Sequence, residues 1–319
     1  MTYERGSVVT KVVGRFAPTP SGRMHFGNVY SLLCAWAHAR KQGGEMVLRI
    51  EDLDPVRCPR ANAEVLAEDL RWLGLDWDRG AYTGAGSESY FQSQRSEVYA
   101  EMLARLEGQG VVFPCFCSRG EVHAANAPHL SDGRYRYPGT CRSLTPEQVA
   151  IRKFVRTPAL RVRVDDRVWR FCDEHYGCRE YVLSEDCGDF IVRRSDGVFA
   201  YHLAVVADDA LMGVTEVVRG ADLLDSVPVQ LYLYDLLGFP APRYCHVPLL
   251  TAGDGRRLAK RDRDLDLGAL RELYSAPELI GMLAAKVGLL AKPEPLTAAE
   301  FVSVFEVEKL PVENIVVEV

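Results

Sequence analysis

Arg15-Phe-Ala-Pro-Thr-Pro-Ser-Gly-Arg-Met-His25-Phe-Gly27-Asn28 and Arg257-Leu-Ala-Lys260-Arg261 are the stretches whose residue types and spacing could do chemistry. In the first, small and turn-forming residues lead into His25-x-Gly27-Asn28, after which an apolar helical run begins. A loop of that kind delivers phosphates to a helix start, where unpaired backbone N–H groups and the helix dipole favour anions. Gly27 omits a side chain that would block close approach. In the second stretch, Arg256, Arg257, Lys260, Arg261 and Arg263 alternate with aspartates. Alone it reads as a solvated basic loop. Paired with the first, its Lys260 ammonium can reach the same phosphates from the other side and offset charge that develops on them, which is a transition-state contribution.

These residues need elements to hold them. Val12–Phe16 reads as a buried strand, Asn28–Lys41 as a helix, and Met46–Ile50 as a second strand after the Gly43-Gly44 turn, so the chain opens as a βαβ unit. Pro59–Leu73 and Ser93–Leu106 follow as amphipathic helices stopped by Gly74 and Gly108. From Val111 the texture changes to cysteine, proline and short alternating strands such as Leu160–Val164 and Asp189–Arg193. Helix and strand signals return with Phe199–Val206, Glu216–Arg219 and Pro228–Leu237. The remainder shows one helix, Pro277–Leu290, and a polar, proline-punctuated end.

The two stretches resemble the signature motifs of class I aminoacyl-tRNA synthetases, and Arg15-Phe-Ala-Pro-Thr-Pro-Ser-Gly22 is similar to the wording of their glutamate-specific branch. The resemblance spans about residues 12–265. It implies an α/β fold: a Rossmann-type doubly wound parallel sheet formed by 1–110 and 201–265, an inserted zinc-bearing α+β subdomain at 111–200, and a short C-terminal helical segment at 266–319 with no anticodon-binding domain. It also implies roles. His25 and Lys260 would be catalytic, and His25, Gly27, Asn28, Arg257 and Lys260 would hold ATP with Mg2+. The glutamate pocket would be Arg15, Phe16, Ala17, Pro18, Thr19, Glu51, Tyr201 and Arg219, with cations and a phenol for two carboxylates and one carboxylate for the ammonium. For any one of these the ordinary alternative is a surface ion pair. Arg257 and Ala259 depart from the family's usual second motif, while Lys260 is retained.

Cys115-Phe-Cys117 and Tyr137-Pro-Gly-Thr-Cys141 could close a tetrahedral zinc site from three thiolates and a phenolate, or be free buried thiols; spacing leaves both open. Cys-x-Cys…Tyr-x-x-x-Cys resembles the glutamyl-queuosine tRNA(Asp) synthetases, truncated paralogues of glutamyl-tRNA synthetases, and that resemblance implies one structural Zn2+ on Cys115, Cys117, Tyr137 and Cys141. A second cluster, Cys172, His175, Cys178 and Cys187, has no family counterpart and reads as thiols.

Composition narrows the partners. Lys plus Arg number 38 against 44 Asp plus Glu, a net charge of −6, so no global basic field drives non-specific nucleic-acid binding. RNA contact must be local, with Arg134, Arg136, Arg142, Arg193 and Arg194 as candidates. Nine cysteines, no signal-peptide pattern at Met1–Thr10 and no membrane-spanning run make a monomeric cytoplasmic protein with reduced thiols the expectation. The resemblance implies tRNA-independent activation of L-glutamate by ATP and transfer to queuosine in the anticodon stem-loop of tRNA(Asp). The alternatives are a short glutamyl-tRNA synthetase charging the 3′ end, and an inactive paralogue that binds nucleotide or RNA.

Overall fold

The computed structural model describes residues 11–124, 136–253 and 266–317. The chain opens with β1 (Val13–Phe16), α1 (Phe26–Lys41) and β2 (Glu45–Leu48), then α2 (Arg60–Trp72) and β3 (Arg79–Gly80). Strands β1, β2 and β3 are parallel, with Arg15 opposite Val47 and Val47 opposite Arg79. All four residues of β1 are buried, as a strand covered on both faces requires. The predicted βαβ opening is present, each boundary within about two residues of its expected place.

After α3 (Ser96–Gly108), segment 111–200 carries β4 (Val112–Cys115), α4 (Arg119–Ala124), α5 (Pro146–Val155), β5 (Ala159–Val162), β6 (Val168–Asp173), β7 (Gly177–Val182), α6 (Leu183–Asp186) and β8 (Phe190–Arg193). Strands β4, β5 and β8 make a separate antiparallel sheet. The β6–β7 hairpin does not stay with it. Next come α7 (Tyr201–Leu211), β9 (Glu216–Gly220), α8 (Val227–Leu237) and β10 (Arg243–Val247), and β6 joins β10 in parallel with Asp173 opposite Tyr244, giving the order β7-β6-β10-β9. The inserted segment therefore lends a strand to the sheet it interrupts. The Thr215 N–H bonds the Val13 carbonyl at 2.9 Å, which places β9 beside β1, and the chain switches direction of winding between them. Open α/β sheets bind ligands at such a switch point.

The C-terminal part departs from expectation. Besides α10 (Ala276–Lys286), which overlaps the predicted helix but ends four residues sooner, it holds α9 (Leu267–Leu273), α11 (Ala298–Val304) and β12 (Ile315–Val316). Strand β12 pairs in parallel with β11 (Leu250–Thr251). Phe301 and Phe305 are fully buried in the core that also contains Phe16 and Leu33, and the Lys41 ammonium donates to the Phe305 carbonyl at 2.5 Å. The tail is thus part of the first half's core, not an appendage. The sequence hid it because α9 and α11 are seven residues each, about two turns and too brief for a 3.6-residue period to show.

A second correction concerns cysteine. Cys172 and Cys178, expected as thiols, stand directly opposite in the β6–β7 register and are joined as a disulfide. Compartment arguments alone had excluded the pair, whereas the tight hairpin through Gly177 determines their proximity. His175 takes no part, its Nε2 lying 3.0 Å from the Pro311 carbonyl, and Cys187 stands outside the disulfide. Among the described residues no helix is long and apolar enough to cross a membrane.

Candidate active site

A cavity of about 710 Å³ opens at the β1/β9 switch, and Arg15, Ala17, Pro18, Thr19, His25, Gly27, Asn28, Glu51, Tyr201 and Arg219 all line it. They come from several elements. Arg15 is in β1 and Arg219 in β9, Glu51 lies just beyond the end of β2, Tyr201 begins α7, and His25 precedes α1. Phe16 is the exception among the predicted pocket residues. Its side chain is wholly buried in the core, and its carbonyl accepts the Arg49 N–H at 2.9 Å. Strand alternation turns it away from the face on which Arg15 sits. Arg257 and Lys260 lie outside the described residues. Leu249 and Leu250, ahead of that segment, line the cavity. Asp266, behind it, bridges to His25.

Two buried guanidinium groups dominate the electrostatics. Arg15 Nη1 donates to the Val218 carbonyl at 2.9 Å, and its Nε is 3.9 Å from Asp209 Oδ1. Arg219 Nη2 donates to the Leu223 carbonyl at 3.1 Å. Arg15 Nε and Arg219 Nη1 are buried without a hydrogen-bond partner among the described residues. Buried donors in that condition favour an anion. Burial lowers the Arg15 pKa against the pull of Asp209, with Arg49 and Arg219 adding to the lowering. The Glu51 carboxyl is pushed up by burial, opposed by Arg49 and Arg15, and Arg49 Nη2 holds one of its oxygens at 3.0 Å. Burial also pushes the Tyr201 phenol up, so Tyr201 presents an O–H. The cavity therefore offers cationic and hydroxyl donors for carboxylates and one carboxylate for an ammonium, the complement of an acidic amino acid.

At the other end of the cavity the helix start is prepared. Asn28 Oδ1 accepts the His25 N–H at 3.1 Å, and the Asn28 N–H bonds the His25 carbonyl at 2.8 Å. Asn28 thus shapes the first turn, and the N–H groups ahead of it are of the kind that can meet an anion. Arg23 holds the fully buried Asp69 at 3.0 Å, and Arg271 of α9 holds it at 2.5 Å, which ties the loop to the C-terminal part.

Several residues that shape the site were not read from the sequence. Arg49 is fully buried, with Nη1 2.5 Å from Asp209 and Nε 3.8 Å from Asp208. Burial works against its charge, but Asp209, Glu51 and Asp208 outweigh it and raise its pKa. Asp208 is further held by Arg95 at 2.6 Å and by Tyr99 and Gln92 at 2.8 Å. The available signal was the pair Asp208-Asp209, charged residues in the otherwise apolar helix that begins at Tyr201. His246 also adjoins Arg219, with Asp173 behind it on the far ring nitrogen, and nothing in their sequence spacing marked them.

In the inserted segment, the Cys115, Cys117 and Cys141 sulfurs lie within 4.8 Å of one another, and those of Cys117 and Cys141 are 3.7 Å apart. Two thiolates at tetrahedral Zn–S distances would be roughly 3.8 Å apart, so the donor set fits a tetrahedral metal. Cys115 Sγ is 3.4 Å from Tyr137 Oη, which also accepts the Cys141 N–H at 2.7 Å. Burial and the neighbouring Cys115 and Cys141 push Cys117 up to about 12, a penalty that a bound cation reverses. The proposed RNA-facing arginines are engaged within the fold: Arg136 with the Ser184 and Glu185 carbonyls, Arg142 with Asp189, Arg193 with the Gly197 carbonyl, and Arg194 with Asp196. Arg134 lies outside the described residues.

Residues 11–316 match the family described as tRNA synthetases class I (E and Q), catalytic domain. The chain is 48% identical over 306 residues to the glutamyl-Q tRNA(Asp) synthetase of Symbiobacterium thermophilum, covering 95% of this chain and 94% of that one. It is 45% identical over 300 residues to the protein of the same name from Deinococcus radiodurans, covering 91% and 94%. Among solved structures it is similar to the glutamate-tRNA synthetase of Elizabethkingia anophelis, with a TM-score of 0.82, 26% identity, and 97% of this chain and 68% of that one covered. With the signature loop, the switch-point cavity and its paired arginines in place, the chain belongs to the class I tRNA synthetases of the glutamate and glutamine group.

Proposed function

We propose that this chain activates L-glutamate with ATP, without tRNA, and transfers the glutamyl group to the queuosine base of tRNA(Asp). The observation that carries the first half is the pair of buried arginine donors, Arg15 Nε and Arg219 Nη1, which have no hydrogen-bond partner among the described residues and lie beside Glu51 and Tyr201 in one cavity. The names of the Symbiobacterium and Deinococcus relatives, whose lengths this chain nearly matches, support the second half.

In this reading Arg15, Arg219 and Tyr201 hold substrate carboxylates while Glu51 meets the ammonium. An oxygen of the glutamate α-carboxylate attacks the α-phosphorus of ATP and pyrophosphate leaves. His25 and the start of α1 stabilise charge on the phosphates, and Lys260, with Arg257, neutralises the departing pyrophosphate. Mg2+ accompanies ATP and screens its phosphates. A hydroxyl of the queuosine cyclopentene diol then attacks the adenylate carbonyl, releasing AMP. Cys115, Cys117, Tyr137 and Cys141 hold one zinc ion with a structural role, since all four positions are filled by protein; elemental analysis of protein purified without chelator should find about one zinc per chain, and finding none would remove this assignment.

The deciding experiment is glutamate-dependent ATP–pyrophosphate exchange without tRNA, followed by charging of tRNA(Asp) with labelled glutamate. Nuclease removal of the 3′-terminal nucleotides after charging should leave the label on the remaining tRNA. Label lost with the 3′ end, equal charging of queuosine-free tRNA(Asp), or exchange that needs tRNA would favour a short glutamyl-tRNA synthetase instead.

A further inference from the structure

Three neighbouring strands bring a linked set of side chains up to Arg219 of the cavity. Arg219 in β9 stands directly opposite His246 in β10, and Asp173 closes β6, the next strand. Arg219 Nε is 3.0 Å from His246 Nε2, and His246 Nδ1 is 2.6 Å from Asp173 Oδ2. The guanidinium Nε carries only a donor, so His246 Nε2 must accept and the imidazole proton must sit on Nδ1, donated to Asp173. Asp173 is itself held by the N–H groups of His175 and Tyr176 at 3.1 and 3.0 Å and by the His246 N–H at 3.1 Å. His246 and Asp173 are both buried, neither lines the cavity, and the chemistry described above uses neither.

We propose that His246 and Asp173 are positioning residues for glutamate binding: Asp173 fixes the tautomer of His246, and His246 orients Arg219 so that Nη1 faces the substrate. The chemistry explains the choice of an imidazole. A carboxylate in direct contact would orient Arg219 equally well but would neutralise the charge that the substrate needs. A neutral ring accepts the Nε–H and keeps the anion of Asp173 one ring further away. The β6–β7 hairpin thereby joins the inserted segment to the amino-acid pocket.

This inference rests on the assignment of Arg219 to glutamate, and the test separates the two. The KM for L-glutamate, the KM for ATP and kcat are measured in pyrophosphate exchange for His246→Ala, His246→Gln, Arg219→Ala and the double variant, with thermal melting as a check on folding. His246→Ala should raise the glutamate KM about 10- to 100-fold, the scale of one hydrogen bond to a charged group, with the ATP KM and kcat within about threefold. His246→Gln, whose amide oxygen can accept the same N–H, should restore the glutamate KM to within about threefold of the parent. In the Arg219→Ala background, His246→Ala should add nothing further, because it acts through Arg219. A wild-type glutamate KM for His246→Ala, equal losses in both backgrounds, or a glutamine variant as poor as the alanine one would overturn the inference. An Arg219→Ala protein with unchanged glutamate KM would overturn the pocket assignment instead.

Discussion

Replacing Arg49 by methionine tests whether the site rests on buried charge pairing. Arg49 is fully buried and reaches three carboxylates, with Asp209 at 2.5 Å, Glu51 at 3.0 Å and Asp208 at 3.8 Å. Their dependence on it differs. Asp208 keeps Arg95, Tyr99 and Gln92, whereas among the described residues Asp209 keeps only the more distant ion pair with Arg15, at 3.9 Å. The loss therefore falls on Asp209, and on Glu51, whose bond to Arg49 at 3.0 Å also goes; for a buried carboxylate deprived of its close partner about 3–5 kcal/mol is the expected cost. That corresponds to a fall of about 10²- to 10⁴-fold in the folded-to-unfolded ratio. Urea unfolding should show a lower midpoint with an unchanged slope. Arg49→Met combined with Asp209→Asn should cost at least about 1 kcal/mol less than the sum of the two single changes, because the second removes the stranded charge. Additive losses, or a single-variant cost below about 1 kcal/mol, would show that water or a rearranged Arg15 already satisfies Asp209.

Acid should weaken the fold in two windows. Burial, countered in part by Asp173 and reinforced by Arg219 and Arg15, lowers the His246 pKa to about 4 from its usual 6.5. The unfolded chain thus binds the extra proton first, and stability falls as pH drops from about 6.5 to about 4, by at most about 3 kcal/mol. Asp173, whose pKa is lowered by its bonds to His246 and to backbone N–H groups despite its burial, contributes a further loss only below its ordinary carboxylate range. His246→Gln should flatten the upper window in urea titrations between pH 4 and 7, and a slope as steep as the parent's would assign the effect to other groups. Gly281→Ala should destabilise by roughly 1–3 kcal/mol, as overpacking does, although alanine is the better helix former; a Cβ there would collide with the Glu294 carbonyl of the tail crossing over α10. A raised urea midpoint for Gly281→Ala would mean that the tail does not lie against α10. Lys260→Ala should lower kcat for activation by roughly 10²–10³-fold with little change in glutamate KM, the signature of one lost transition-state donor; matching losses in both would place Lys260 in ground-state binding.

Local physics explains what could be read from one dimension. The strand Val13–Phe16, the helix stopped at Gly238 with its positive φ of 71° and the loop before α1 are set by apolar periodicity, glycine conformation and helix-end donors, which are properties of short windows. Arg15, Glu51, Tyr201 and Arg219 were legible as candidates because each sits in a distinctive string, and the fold brings them to one cavity. Phe16 showed the limit: neighbours in a motif face opposite sides of a strand. Everything that depends on pairing across long separations stayed hidden. The opposition of His246 to Arg219 and of Asp173 to Tyr244 is a matter of register between strands, and register is decided by how whole faces pack. The same holds for Arg49, charged yet fully buried, and for β12 pairing with β11. Residue types and local spacing determined which groups can meet glutamate and phosphate; the tertiary structure decided which of their donors remain available, because only packing determines which partners a buried side chain has already engaged.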